Sequence, residues 1–179
     1  RLEEFELPEI TDDEILVKVI SDSICMSTYK CAILGTEHKR VHEDVAEHPV
    51  VLRMKKYPHH GDTSCYKHCM RVAYFNYIIC KKLHLDAKSA ARAGMLHDLF
   101  LYDWHTHAKE TGQRFHGLTH PKTALNHACR LFPLNDIEKD VIRAHMWPVT
   151  FFSIPHTKEG WIITLTDKYC GAFESMKRK

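Results

Sequence analysis

The chain has 179 residues, with 25 Lys and Arg against 23 Asp and Glu, and 15 His. A net charge of +2 excludes a strongly basic nucleic-acid binder, and a hydrophobic share of 44% excludes an acidic disordered tail. What remains is a globular chain with an excess of imidazole, which points to metal ligation, proton transfer or pH sensing.

The elements follow in chain order. Residues 14–20, Glu-Ile-Leu-Val-Lys-Val-Ile, form a short β-branched run and predict a strand. Turn formers crowd residues 47–63 and divide the chain into an arm (1–47) and a helical domain (48–179). A first helix is expected over residues 64–83, where Val72, Phe75, Ile79 and Leu83 recur at helical spacing. A second is expected from Asp86 to about Leu101, rich in Ala. Residues 102–119 have few periodic apolar positions and read as a loop. A third helix is expected after Thr119, with Pro121 in its first turn, reaching Phe132. A fourth opens on the capping-box pattern Asn135-Asp136-Ile137-Glu138 and ends before Pro148. A fifth spans residues 158–176. The expected fold class is therefore all-α, a bundle of five or more helices with a β-prone N-terminal arm.

No apolar run approaches the roughly 20 residues of a membrane span. Residues 1–14 are acidic and broken by Pro8, unlike a secretory signal, and the seven Cys show no disulfide framework. These features predict a cytosolic protein with reduced thiols.

Each expected helix carries a ligand-type side chain. His68 lies in the first, His97-Asp98 late in the second, His120 at the entry to the third, His145 near the end of the fourth and Asp167 midway along the fifth. Helical bundles build metal sites in this way, from side chains projecting inward off facing helices. Imidazole mixed with carboxylate suits Fe, Mn, Ni or Zn, whereas an all-oxygen set would suit Mg or Ca. The competing account of His120 and His145 is an N-terminal cap and a helix-end cation. The spacing of Cys65, His68 and Cys69 hints at a zinc knuckle, but no distant ligand pair at zinc-finger spacing completes one.

The order His, His-Asp, His, His, Asp, with Ala93-Gly94-Met95-Leu96-His97-Asp98 and Thr166-Asp167-Lys168 as its sharpest parts, resembles the HD-domain metal-dependent phosphohydrolases. The resemblance covers about residues 48–175. It implies that His68, His97, Asp98 and Asp167 bind one divalent metal, that His120 and His145 bind a second, and that Asp98 bridges them. It further implies a metal-bridging hydroxide that attacks the phosphorus of a small phosphate ester or nucleotide. Many relatives carry Lys three residues after the motif Asp, where this chain has Leu101. Lys168, Arg71, Lys122 and Arg143 are the substitute cations near ligands in sequence, and His60 is a further candidate for substrate contact. His105, His107 and His116 sit in the expected loop, while His38, His42, His48, His59, His84, His127 and His156 read as surface residues. Two other functions remain open: a mixed-valent di-iron oxygenase on the same fold, and a catalytically silent metal- or nucleotide-binding sensor.

The arm differs in character. Residues 7–27, including Leu7-Pro8-Glu9-Ile10 and Ser23-Ile24-Cys25-Met26, resemble the opening strands of medium-chain zinc dehydrogenases. Cys25 matches a zinc ligand of that family. A complete dehydrogenase is excluded, since no Gly-x-Gly-x-x-Gly nucleotide fingerprint occurs.

Overall fold

The computed structural model describes residues 45–112 and 115–176. The strand expected at residues 14–20 and the dehydrogenase-like segment around Cys25 lie outside the described residues. Within them the chain is helical, with no strand and one isolated bridge between Pro58 and Ser64.

Seven helices are described: α1 (Pro49–Leu52), α2 (Cys65–Lys82), α3 (Ala87–Leu96), α4 (Trp104–Thr111), α5 (His116–Leu131), α6 (Asp136–Ala144) and α7 (Lys158–Met176). Helix α3 is central and packs against α2, α5, α6 and α7. Its approach to α2 is set by Gly94, where a Cβ would lie 2.9 Å from the Ala73 Cα. Met54, Val72, Leu96, Leu99, Ile142 and Ile163 fill the core at 0% exposure. Burial of each such side chain contributes about 1.5–3 kcal/mol.

The starts of three helices are tied together. Asp86 caps α3 by accepting from Ser89 N at 2.9 Å. Asn135 and Glu138 form the expected capping box of α6, and Asn135 Nδ2 donates to Ser89 Oγ at 2.7 Å. Glu159, in the first turn of α7, accepts from Asp86 N at 3.0 Å. These side chains answer the amide N–H groups that helix starts leave unpaired. The far ends of α3 and α6 then carry His97-Asp98 and His145.

Two expectations need correction. The stretch 102–119 is not a plain loop. Asp103 starts α4 by accepting from the His105 amide at 2.9 Å, and α5 begins at His116 rather than after Thr119. Periodicity missed α4 because, after Trp104, which packs against the core, His105 and Thr106 face solvent and extend no apolar stripe. Helix α5 runs through Pro121 with one main-chain bond fewer, and Thr119 Oγ1 donates to nearby carbonyls. Helix α3 stops at Leu96, short of the expected Leu101, and at its end His97 Nδ1 donates to the Gly94 carbonyl at 2.8 Å. Leu101 itself is left-handed, with φ 60°.

Candidate metal centre

The six residues picked out on five helices meet at one place. His68 comes from the first turn of α2, His97 and Asp98 from the end of α3, His120 from the start of α5, His145 from the end of α6 and Asp167 from the middle of α7. All but Asp167 are at most 4% exposed.

Asp98 divides the cluster. Its Oδ2 lies 3.4 Å from His97 Nε2 and 4.0 Å from His68 Nε2. Its Oδ1 lies 3.2 Å from His120 Nε2 and 3.6 Å from His145 Nε2. Asp167 Oδ1 joins the first group, 3.0 Å from His68 Nε2 and 3.5 Å from His97 Nε2. His120 Nε2 and His145 Nε2 face each other at 2.8 Å. Atoms bonded to a common ion at about 2.0–2.2 Å stand about 2.8–4.4 Å apart, depending on the angle between them, so these separations fit a metal.

The outer nitrogens fix which atoms face inward. His97 Nδ1 donates to Gly94 O at 2.8 Å, His145 Nδ1 to Ile142 O at 2.8 Å and His120 Nδ1 to His116 O at 2.9 Å. His68 Nδ1 donates to Glu174 Oε2 at 2.9 Å. Each anchor leaves Nε2 turned to the cluster, which is how second partners orient metal-binding imidazoles. His97 Nε2 and Asp98 Oδ1 are buried and make no hydrogen bond among the described residues. Buried polar atoms left unpaired are costly, and a cation in each half would satisfy one of them.

The two halves differ in charge. Burial pushes Asp98 upward, but His97, His120 and His59 outweigh it and hold the carboxyl well below its usual range. Asp167 is likewise held well below it, because His68 and His97 outweigh burial. Burial opposes a proton on His68, yet Asp167 and Glu174 raise its affinity for one. His97 is raised well above the ordinary value, with Asp98 overcoming its burial. In contrast, His145 is pushed down to about 3 by burial, with His97 and His120 adding to the effect. The first half therefore attracts positive charge, and the second offers a bare imidazole.

Sequence reasoning missed two members. His59 is buried, not a surface residue, with Nε2 3.0 Å from Asp98 Oδ2. The turn 59–63 carries it inward: His59 N donates to Thr63 O and Thr63 N to His60 O. No periodicity marks such a position. Glu174 is buried between His68 and Arg71, and Arg71 donates to its other oxygen. A signal existed there, since Glu174 follows Asp167 by two helical turns on the same face.

The other candidates are spread out. Arg71 is engaged with Glu174, and Arg143 donates to Asp140 at 2.6 Å and to Ile154 O at 2.8 Å. Lys122 is exposed on α5. Lys168 Nζ donates to the His145 carbonyl at 3.1 Å and the Thr164 carbonyl at 3.2 Å, close behind the second half. His60 packs over Gly171, where a Cβ would come within 3.1 Å of its ring. Cys65 and Cys69 are buried below the cluster, and burial raises both thiols. With Asp98 they form a further group of side chains whose donor atoms lie close enough to hold an ion.

A helical bundle whose ends present His, His-Asp, His, His and Asp to one point agrees with what comparison finds. The HD domain family matches residues 65–172, more than half of the chain. The chain belongs to the HD domain family. Its N-terminal part is similar to other proteins. It is 67% identical over 51 residues to the uncharacterized protein YggP of Escherichia coli (strain K12), covering 28% of this chain and 12% of that protein. It is 59% identical over 51 residues to the mannitol-1-phosphate 5-dehydrogenase of Aliivibrio fischeri, covering 28% and 12%. It is 50% identical over 52 residues to the L-sorbose 1-phosphate reductase of Klebsiella pneumoniae, covering 29% and 13%. The chain thus spans only about an eighth of those relatives' length. These likenesses bear out the dehydrogenase-like character of the arm. No solved structure matches the chain. No described helix is long and apolar enough to cross a membrane.

Proposed function

We propose that this protein is a metal-dependent phosphohydrolase acting on a small phosphate ester or nucleotide. The observation that supports it is the split of Asp98, whose Oδ2 faces His68 and His97 while Oδ1 faces His120 and His145. In this reading His68, His97, Asp167 and Asp98 hold one divalent transition metal, and Asp98, His120 and His145 hold a second. Fe, Mn, Ni and Zn all suit that donor set. Such ions supply a water activated near neutral pH and positive charge opposite phosphoryl oxygens.

The chain's own residues do the rest. The four anchored imidazoles keep their Nε2 atoms inward without reorganisation, and Glu174 with Arg71 fixes the first of them. Burial keeps bulk water away, so charges act strongly there. Lys168 is the cation we assign to the substrate phosphate, since its amino group is fixed on the His145 carbonyl. Arg71 and Arg143 already have carboxylate partners. Residues 48–179 form the catalytic unit, and the arm takes no part in the chemistry. The buried thiols suit a reducing cytosol.

A phosphate-release screen with Mn²⁺, Fe²⁺, Ni²⁺ and Zn²⁺ tests the reading. Hexitol and ketose phosphates lead the panel, because two relatives of the arm are named for such compounds. Metal-dependent release that His97→Ala abolishes supports it. No release from any ester by the metal-loaded protein refutes it. One observation favours a second reading, a di-iron oxygenase: Leu101 stands where phosphohydrolase relatives carry Lys. Dioxygen uptake without phosphate release would select it.

A further inference from the structure

Five imidazoles crowd the two carboxylates, and four are built alike. His68, His97, His120 and His145 each pass Nδ1–H to an outer acceptor, Glu174 or a main-chain carbonyl. His59 is the exception. Its Nδ1 is buried and has no hydrogen-bond partner among the described residues, while Nε2 lies 3.0 Å from Asp98 Oδ2. A ring proton settles where an acceptor waits, and for His59 that acceptor is Asp98. Its Nε2 therefore carries hydrogen toward the cluster, where the other four present a lone pair. Metal-binding imidazoles almost always have their second nitrogen anchored, and His59 lacks that anchor.

From this contrast we infer that His59 is a positioning residue, not a ligand: it donates Nε2–H to Asp98 Oδ2 and sets the orientation of the bridging carboxylate. The inference rests on the dinuclear reading above. The His59 ring packs edge-on against His68 at 4.2 Å between centroids and lies 6.3 Å from Phe100, so the donor is held in place. The bond fixes the carboxylate plane, leaving Oδ1 turned to His120 and His145. The second ion, which depends on Oδ1, should feel its loss most.

The test uses the full chain titrated with Mn²⁺ alone, following stoichiometry, stepwise affinity and the electron paramagnetic resonance signal of the coupled pair. His59→Phe keeps a ring of similar size without a donor, and His59→Gln offers an amide N–H near the same position. The inference predicts that His59→Phe still binds two ions, with the second about 10–100-fold weaker and the coupled signal altered. His59→Gln should restore both. Loss of one ion in both variants would overturn the inference and make His59 a ligand. Unchanged affinity and signal in His59→Phe would overturn it by reducing His59 to packing. Should the parent bind no second ion, the dinuclear reading itself fails, an outcome read from the parent alone.

Discussion

The two halves of the centre share Asp98 and little else. On the first side two carboxylates face His68 and His97, and His68 is backed by Glu174 and Arg71. On the second side the outer nitrogens of His120 and His145 donate to main-chain carbonyls. The first half draws protons onto its imidazoles, whereas His145 is kept neutral by burial. The difference teaches that one family motif holds a strongly charged site beside a weakly charged one. Two ions bound here should differ in affinity, with the ion at His120 and His145 leaving first under a chelator.

The largest effect should come from removing what the halves share. Asp98→Ala takes an oxygen from each side, so ion content should fall below two and phosphate release by at least about 10²–10³-fold. Elemental analysis with a turnover assay checks both. Glu174→Gln should sharpen the asymmetry: the first ion weakens about 10–100-fold while the His120–His145 ion is nearly unchanged. Stepwise metal titration measures the two separately.

A third test uses pH. His68 and His97 bind protons more tightly than free imidazole, and an ion must displace them. First-ion affinity should therefore keep rising as pH climbs above about 6.5, the ordinary His value. The second ion should depend less on pH there, since His145, at about 3, is already deprotonated. Calorimetry in buffers of different ionisation enthalpy reads the proton release directly.

The smallest effect on the centre should come from its scaffold. Asp140 accepts from the His156 and Thr157 amides at 2.9 and 2.8 Å just ahead of α7 and pairs with Arg143. Asp140→Asn should cost about 1.5–3 kcal/mol in urea unfolding and leave ion content intact. Those contacts outweigh burial and lower the Asp140 pKa. Its contribution is thus complete above the unfolded value near 4 and disappears as pH falls through the folded one. The parent should lose that stability in acid, and the variant should have none of it to lose.

Sequence showed the helices best where one face is apolar or a cap is spelled out, as in α2 and α6. It failed at α4, where only Trp104 of the opening residues packs on the core, and at the end of α3, where no Gly or Pro marks the stop before His97. The ligand order was legible because His68, His97, Asp98, His120, His145 and Asp167 each fall on a different face or end of a helix. His59 was not, since a turn residue shows no spacing that reveals burial. The roles of Arg71 and Arg143 also needed coordinates, for nearness in sequence does not say which carboxylate a guanidinium meets.

The central claim is that Asp98 joins two metal sites of unequal strength. Its most direct test is the Mn²⁺ content of the parent beside a His120→Ala/His145→Ala variant, each loaded and gel-filtered. The account predicts two ions in the parent and one in the variant. A parent that holds a single ion or none, or a variant that still holds two, would contradict it.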